Sequence, residues 1–214
     1  MKLKVVLLAL IAFVSSSVFA QQDPNAEKLL NEMSAKFKAM KSFQANFSYS
    51  LQTAKGVVKD SWTGSILVKG AKYVMKVAGS EIYNDGTTVW TYMKDENECN
   101  ISTNEPDGDA ISPTNITTMY KKGYKYRLLA DEVENKITYA VVELVPNDKN
   151  KSFFKIKLKI NKTTKEIKSW TVFEKSSTRS VYSITKLSQN VPADDKLFKF
   201  DKTKYKGCNV VDLR

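Results

Sequence analysis

The sequence predicts a mainly β protein of the α+β class. We expect a single curved antiparallel sheet, or an unclosed β-barrel, of about 10 or 11 strands, with two or three helices over its concave face. Apolar residues recur at every second position through most of the chain, and polar or glycine-containing turns separate these runs. So many strands rarely form a flat sheet, and two or three helices cannot cover both faces.

The N-terminal 20 residues have the pattern of a secretory signal peptide. Two lysines precede an apolar run over residues 5–14, and small residues lead to a cleavage site after Ala20. Gln21 follows, where a bacterial lipoprotein would need a cysteine for lipid attachment. Residues 21–214 are therefore expected to form one soluble domain outside the cytoplasm.

The first element of this domain is a helix that begins near Asp23-Pro24. Aspartate caps free backbone amides, and proline is tolerated in the first helical turn. Apolar residues then recur at three- and four-residue steps, which predicts one buried stripe ending near Met40. The members of the stripe are Leu29, Leu30, Met33, Phe37 and Met40.

Strands follow the first helix. Residues 42–53 and 57–69 alternate as a first pair, and residues 64–95 continue as a meander with turns at Gly70-Ala71, Gly79-Ser80 and Asn84-Asp85-Gly86. The last turn is a strong hairpin signal, because its residues tolerate positive φ. Residues 114–122 predict a second helix that ends at Gly123. The remaining predicted strands are 98–103, 124–130, 137–146, 153–161, 167–174 and 179–187, with edge pairing near 197–200 and 210–213.

The chemistry available to the chain is restricted, because the sequence contains no histidine. Serine–histidine and cysteine–histidine nucleophile pairs and histidine metal sites are excluded. The acidic residues cluster in turns, such as Asp107-Gly108-Asp109 and Asp194-Asp195, where solvated carboxylates are typical. We expect a binding protein with no cofactor and no metal, and not an enzyme.

The net charge of +11 falls to +9 when Lys2 and Lys4 leave with the signal peptide. Three lysines, at 155, 157 and 159, alternate with apolar residues and should share one face of a strand. Nucleic acid is not an expected partner, because the chain is exported and no aromatic residues interleave on the charged face. These surface lysines are explained by solubility, and the alternative is attraction to an anionic membrane or an acidic partner. The apolar residues of this alternation are Phe154, Ile156, Leu158 and Ile160.

Cys99 and Cys208 are the only two cysteines. In an oxidising compartment they could form a disulfide that holds the C-terminal tail to the sheet. The alternative is two unrelated thiols, since their spacing matches no metal or redox motif.

Several segments resemble, in their order, the periplasmic outer-membrane lipoprotein carrier family LolA over nearly all of residues 21–214. The tail from Lys204 to Arg214 is similar to that of Bacteroidetes members. The segments are Phe43-Gln44-Ala45-Asn46-Phe47, residues 64–69 leading into Lys72-Tyr73, residues 84–92, Ser112-Pro113 and Phe198-Lys199-Phe200.

The resemblance implies a monomeric periplasmic carrier with a helix-covered, unclosed barrel. Its cavity would take up the acyl chains of lipoproteins released by an inner-membrane ABC transporter and deliver them to an outer-membrane acceptor. Each buried methylene contributes about 0.8 kcal/mol, so exposed acyl chains could not cross water unaided. A broad and loosely packed apolar surface is therefore expected.

The resemblance also implies which residues line this cavity, although each could equally be ordinary core. Proteobacterial members carry an Arg-Pro pair, whose arginine is tied to lid closure and cargo release, where this chain has Lys69-Gly70 or, with a one-residue gap, Gly70-Ala71. Lysine supplies charge but lacks the planar fork of arginine. From the sheet the implied residues are Phe47, Tyr49, Leu67, Tyr73, Met75, Val77 and Trp90, and from the helical plug Phe37 and Met119, with Met33 and Ile116 as further candidates.

Other functions compatible with the same sequence are a periplasmic sensor, an outer-membrane acceptor and a carboxylate hydrolase. The sensor has the same fold, binds lipid or envelope fragments and contacts a membrane anti-sigma factor, but usually carries a further C-terminal domain. The acceptor would need a lipid-attachment cysteine, and the hydrolase would need paired acids.

Overall fold

The computed structural model describes residues 22–105, 111 and 115–214. The predicted signal peptide and most of the acidic loop at 104–113 lie outside these residues. The described chain forms one α-helix, 13 strands in one sheet and three short 3-10 segments. No helix in the described ranges is both long and apolar enough to span a bilayer.

The elements have the following bounds. The helix α1 is Pro24–Ala39, and the 3-10 segments are Met119–Lys121, Asp195–Phe198 and Lys202–Lys204. The strands are β1 Phe43–Thr53, β2 Val58–Lys69, β3 Lys72–Val77, β4 Ser80–Asn84, β5 Thr88–Met93, β6 Glu98–Thr103, β7 Tyr124–Leu128, β8 Glu132–Glu134, β9 Ile137–Pro146, β10 Phe153–Asn161, β11 Ile167–Glu174, β12 Thr178–Gln189 and β13 Asn209–Asp212.

The sheet is unclosed. Its strand order is β13-β6-β5-β4-β3-β2-β1-β12-β11-β10-β9-β7, and β8 pairs with β9 outside this path. All pairs are antiparallel except β13 with β6, which is parallel. The mainly β, unclosed architecture is confirmed, whereas the strand count was too low and a purely antiparallel sheet is wrong, because the tail returns alongside β6. We call the face that packs against α1 the inner face and the opposite one the outer face.

Gln22 and Asp23 attach the start of α1 to the free edge of β7. The Asp23 carboxylate accepts hydrogen bonds from the backbone of Asn25 and Ala26, as an N-cap should. The same carboxylate accepts the Leu128 N–H at 2.8 Å. The Gln22 side-chain amide bridges two residues of β7. Its nitrogen donates a hydrogen bond to the Tyr124 carbonyl at 2.8 Å, and its oxygen accepts one from the Tyr126 N–H at 3.0 Å. Two consecutive residues thus pair with the β7 backbone and start the helix.

Two predicted elements are wrong in their described parts. Residues 115–122 form turns and the 3-10 segment Met119–Lys121, so the second α-helix is not formed there. The β-branched run Ile116-Thr117-Thr118 explains this, since such residues lose side-chain freedom in a helix. The predicted edge pairing near 197–200 is instead the 3-10 segment Asp195–Phe198, which Asp194 caps. One α-helix, not two or three, therefore covers the inner face in the described residues.

Most buried apolar residues of the described chain belong to three clusters. The largest packs α1 against the inner face of β7 and β9 to β11. The second lies on the inner face of β1 to β3, around Ala45, Phe47, Ile66 and Val68. The third lies on the outer face of β5 and β6, where the C-terminal residues Phe200, Tyr205 and Cys208 cover Tyr92 and its neighbours.

The alternating lysines of β10, Lys155, Lys157 and Lys159, lie on the outer face, where they contact acidic and aromatic side chains. Lys159 pairs with Glu132 at 2.6 Å and Glu134 at 2.5 Å, and Lys155 lies 4.7 Å from the centre of the Phe173 ring. A bulge near the start of β10 breaks the alternation. Phe154, expected on the apolar face, is therefore 49% exposed.

Candidate functional site

A small apolar cavity lies on the inner face, between the sheet and the C-terminal half of α1. Its volume is about 20 Å³. One water needs about 10–15 Å³, so a hydrocarbon chain can enter only if the covering residues move. Those covering residues are Phe37 of α1 and the Ile116-Thr117 segment. The described residues that line the cavity are Phe37, Phe43, Ala45, Phe47, Ile66, Ile116, Thr117, Ile167, Trp170 and Ile184.

An open groove of about 370 Å³ adjoins this cavity. Cavity and groove share Phe37, Phe43 and Thr117, so the groove is the natural entrance. Its volume is within the range of small-molecule sites. Unlike the cavity, it is bordered by many polar groups. They belong to Ser34, Lys38, Ser42, Thr117, Thr118 and Lys121.

Phe47 forms the floor of the cavity, and its position depends on a glycine. It is only 5% exposed and faces Gly64 across the β1–β2 pair. A Cβ atom placed on Gly64 would lie 2.6 Å from Phe47 Cζ. Glycine therefore lets the ring lie close against the sheet. Phe43 and Phe37 add an edge-to-face aromatic pair, with ring centres 5.6 Å apart, above this floor.

An apolar strip continues the inner face beyond the cavity. Tyr73, Met75 and Val77 of β3 lie opposite Val68, Ile66 and Gly64 of β2. All three are only half-buried. They pack against the cluster around Phe47, whereas α1 packs at the β7 end of the sheet. The strip is therefore an accessible apolar surface contiguous with the cavity.

A row of four aromatic side chains leads from the surface to the cavity. Trp62, Tyr49, Tyr182 and Trp170 come from β2, β1, β12 and β11, with successive ring centres 4.6, 4.9 and 4.9 Å apart. The exposed fraction falls from 38% at Trp62 to 1% at Trp170. Burial raises the pKa of Tyr182 to about 12, so its hydroxyl is neutral at physiological pH. The two outer pairs of the row are stacked, with ring planes 6° and 8° from parallel, whereas Tyr49 and Tyr182 are tilted by 59°. The row gives this part of the inner face an aromatic and uncharged surface.

Leu67 and Trp90 do not join the other predicted cavity residues, because they lie on the outer face. Leu67 stands between two inward residues of β2 and pairs with Gln44 and Val74. Trp90 packs against the outer cluster with Tyr92. Since side chains of a strand alternate between faces, residues of opposite parity cannot line one cavity.

The remaining predicted cavity residues lie near the site to different degrees. Phe37 borders both cavity and groove. Met33 is fully buried and Met119 half-buried, and both pack within the main core and not in the cavity wall. Tyr49 shares the inner face with Phe47 and belongs to the aromatic row.

Lys69 fixes the turn between β2 and β3 to the C-terminal segment. Its ammonium donates to Asp195 Oδ1 at 2.8 Å and to the Ala193 carbonyl at 3.0 Å. Lys72 donates to the other carboxylate oxygen of Asp195 at 2.8 Å. These two lysines lower the pKa of Asp195 to about 2. The two lysine ammonium groups thus bind a single carboxylate. Gly70, which follows Lys69 in the same turn, lies in the wall of the groove.

Cys99 and Cys208 are buried free thiols in the outer cluster, which corresponds to the second of the two alternatives left open by the sequence. The parallel register of β13 places Val210, and not Cys208, opposite Cys99. Burial raises the pKa of the Cys99 thiol to about 11.

The cavity residues predicted from the sequence do not include several that line it in the structure, chiefly Ile66, Trp170 and Ile184. Ile66 could have been found from its parity with Phe47 across the first strand pair. Trp170 and Ile184 lie on strands that pair irregularly, because register shifts interrupt β10–β11 and β1–β12. Alternation alone therefore could not assign their faces.

The fold is similar to several solved structures. An uncharacterised conserved protein from Thermus thermophilus has a TM-score of 0.61 at 11% identity, over 88% of this chain and 99% of that chain. A DUF1329 family protein from Desulfovibrio piger has a TM-score of 0.51 at 12% identity, over 86% and 100%. A LolA superfamily protein from Nitrosomonas europaea has a TM-score of 0.44 at 16% identity, over 82% and 97%. Identities this low establish likeness of fold alone.

A search of curated proteins found no match. Residues 16–176 match the family described as outer membrane lipoprotein carrier protein LolA. This match covers well over half of the chain and includes the strands that form the cavity floor. The protein therefore belongs to the LolA family of outer membrane lipoprotein carrier proteins, which confirms the resemblance found in its sequence.

Proposed function

We propose that this protein is a periplasmic carrier that binds the acyl chains of lipoproteins on the inner face of its sheet. It would receive them from an inner-membrane ABC transporter and deliver them to an acceptor at the outer membrane. One observation carries this proposal. The half-buried strip of Tyr73, Met75 and Val77 is contiguous with an apolar cavity and an open groove. The proposed role is binding and release, with no catalytic step.

The closed cavity is compatible with this role if loading moves its cover. Burying about a dozen methylenes stabilises a bound acyl chain by roughly 10 kcal/mol. That free energy can displace Phe37 and the short Ile116-Thr117 segment from the cavity. The floor, formed by Phe47 and the rest of β1 to β3, would remain in place. When the cover returns, it competes with the cargo, which supports release.

The most direct test is to purify the mature protein from the periplasm and identify bound molecules by mass spectrometry. We expect triacylated lipoproteins to co-purify. Recovery of only unlipidated proteins, from cells that make abundant lipoproteins, would contradict a carrier role.

A pair of variants on β3 tests whether the inner face is the binding surface. Tyr73 and Val74 are adjacent and both half-buried, but they lie on opposite faces. Tyr73→Glu places a charge in the apolar strip, so we expect a folded protein that no longer retains lipoprotein. Val74→Glu is the matched control and should retain cargo. Equal retention by both variants would exclude the strip as the binding surface, and unfolding of Tyr73→Glu alone would identify Tyr73 as core.

A further inference from the structure

Trp170 carries a buried polar group with no partner. Its indole Nε1 is buried and forms no hydrogen bond with any described residue. The side chain is 1% exposed and lines the inner cavity. Buried donors in native proteins are almost always paired, and an unpaired one is destabilising. This group therefore calls for a functional explanation.

The surroundings of Trp170 hold the ring in place. It stacks on Tyr182, with ring centres 4.9 Å apart and planes 8° from parallel. Leu158 lies directly opposite on the other neighbouring strand. Among the described side chains that line the cavity, Thr117 alone adds a second polar group. A ligand that enters the cavity can therefore supply an acceptor to the indole N–H.

We propose that the Trp170 N–H donates a hydrogen bond to an ester carbonyl oxygen of the bound acylglycerol group. This inference rests on the carrier function proposed above and specifies the chemistry of that same site. An acyl ester brings an acceptor into the cavity, whereas a plain hydrocarbon brings none. Through this hydrogen bond, Trp170 would distinguish acyl esters from apolar molecules that lack a carbonyl group.

The polarity of the site agrees with this orientation. The groove, with its serine, threonine and lysine side chains, adjoins the cavity on one side. The apolar strip at Met75 and Val77 extends from the Phe47 cluster on the other side. An ester held at Trp170 can direct its tail over Phe47 and along the strip. The polar part of the cargo would leave through the groove.

The test compares two ligands that differ in one carbonyl: 1-palmitoylglycerol and 1-hexadecylglycerol, its ether analogue. We expect the wild-type protein to bind the ester on the order of tenfold more tightly than the ether, which is the effect of one well-placed hydrogen bond. In Trp170→Phe, which keeps an aromatic ring but removes the donor, the two affinities should become equal. The measurement is displacement of a fluorescent fatty-acid analogue.

Nuclear magnetic resonance of the wild-type protein gives an independent measurement, should Trp170→Phe fail to fold. The chain has three tryptophans, so its indole N–H signals are few enough to assign. The Trp170 signal should shift downfield with the ester and not with the ether. Equal affinities and equal shifts for the two ligands would overturn the role of Trp170 while leaving lipid binding intact. Binding of neither ligand would contradict the carrier function as well.

Discussion

Replacing Gly64 by alanine tests the packing that forms the cavity floor. The new Cβ would lie 2.6 Å from Phe47 Cζ and 2.7 Å from the Lys76 carbonyl oxygen. Both distances are below 3.0 Å, and the carbonyl belongs to the β3 backbone, which cannot rotate away. Overpacking of this kind costs about 1–3 kcal/mol. Lower backbone entropy of the unfolded chain offsets about 0.4–1 kcal/mol of this cost.

We therefore expect Gly64→Ala to lower the free energy of unfolding by roughly 1–2 kcal/mol, or Tm by about 2–8 °C. Circular dichroism during urea and thermal denaturation measures this. Ser65→Ala is the matched control, because Ser65 is the next residue and points to the outer face. In a Phe47→Leu background the loss should shrink, since only the carbonyl clash remains. A Gly64→Ala protein as stable as wild type, or a loss unchanged by Phe47→Leu, would refute this account of the floor.

Two further predictions concern charged residues at the ends of the fold. Asp23→Ala removes the acceptor of three backbone N–H groups, so we expect the free energy of unfolding measured in urea to fall by roughly 1–2 kcal/mol. Asp23→Asn, which keeps one side-chain oxygen, should lose less, and equal losses would argue against an acceptor role. Asp195 has a folded pKa of about 2, below the value near 3.9 of an unfolded carboxyl. Its pairing with Lys69 therefore stabilises the C-terminal segment above pH 4, and this contribution is lost as pH falls through 2. The hydrogen-exchange protection factors of residues 193–198, corrected for the intrinsic exchange rate at each pH, should fall over that range and should already be lower at pH 7 in Asp195→Asn. Protection factors that do not change with pH would contradict the pairing.

The sequence was sufficient to predict which residues share a face where a strand alternates strictly. Phe47 and the β3 residues Tyr73, Met75 and Val77 have one parity within each strand, and the structure places them on one face. Leu67 was assigned to the same surface although its parity differs from that of its neighbours Ile66 and Val68. The assignment of Leu67 rests on its apolar character and not on its position, because β2 has apolar residues on both faces near its end.

The other features depend on long-range structure that no local pattern carries. Register shifts on β10–β11 and β1–β12 reverse the parity that would have indicated Trp170 and Ile184. The parallel pairing of β13 with β6 joins segments about a hundred residues apart. The prediction of the second helix relied on the glycine at its end, Gly123, whereas its β-branched interior disfavours the helical state.

The attachment of Gln22 and Asp23 along β7 has a consequence for how copies of this protein behave toward one another. An unclosed sheet ends in strands whose free amides and carbonyls can recruit a second molecule into a growing ladder. At the β7 end those groups are already engaged by two residues of the same chain. At the other end, β13 is four residues long and is followed by Arg214, which pairs with Asp212. We therefore expect the open architecture to resist strand-to-strand polymerisation and domain swapping, even in a crowded compartment.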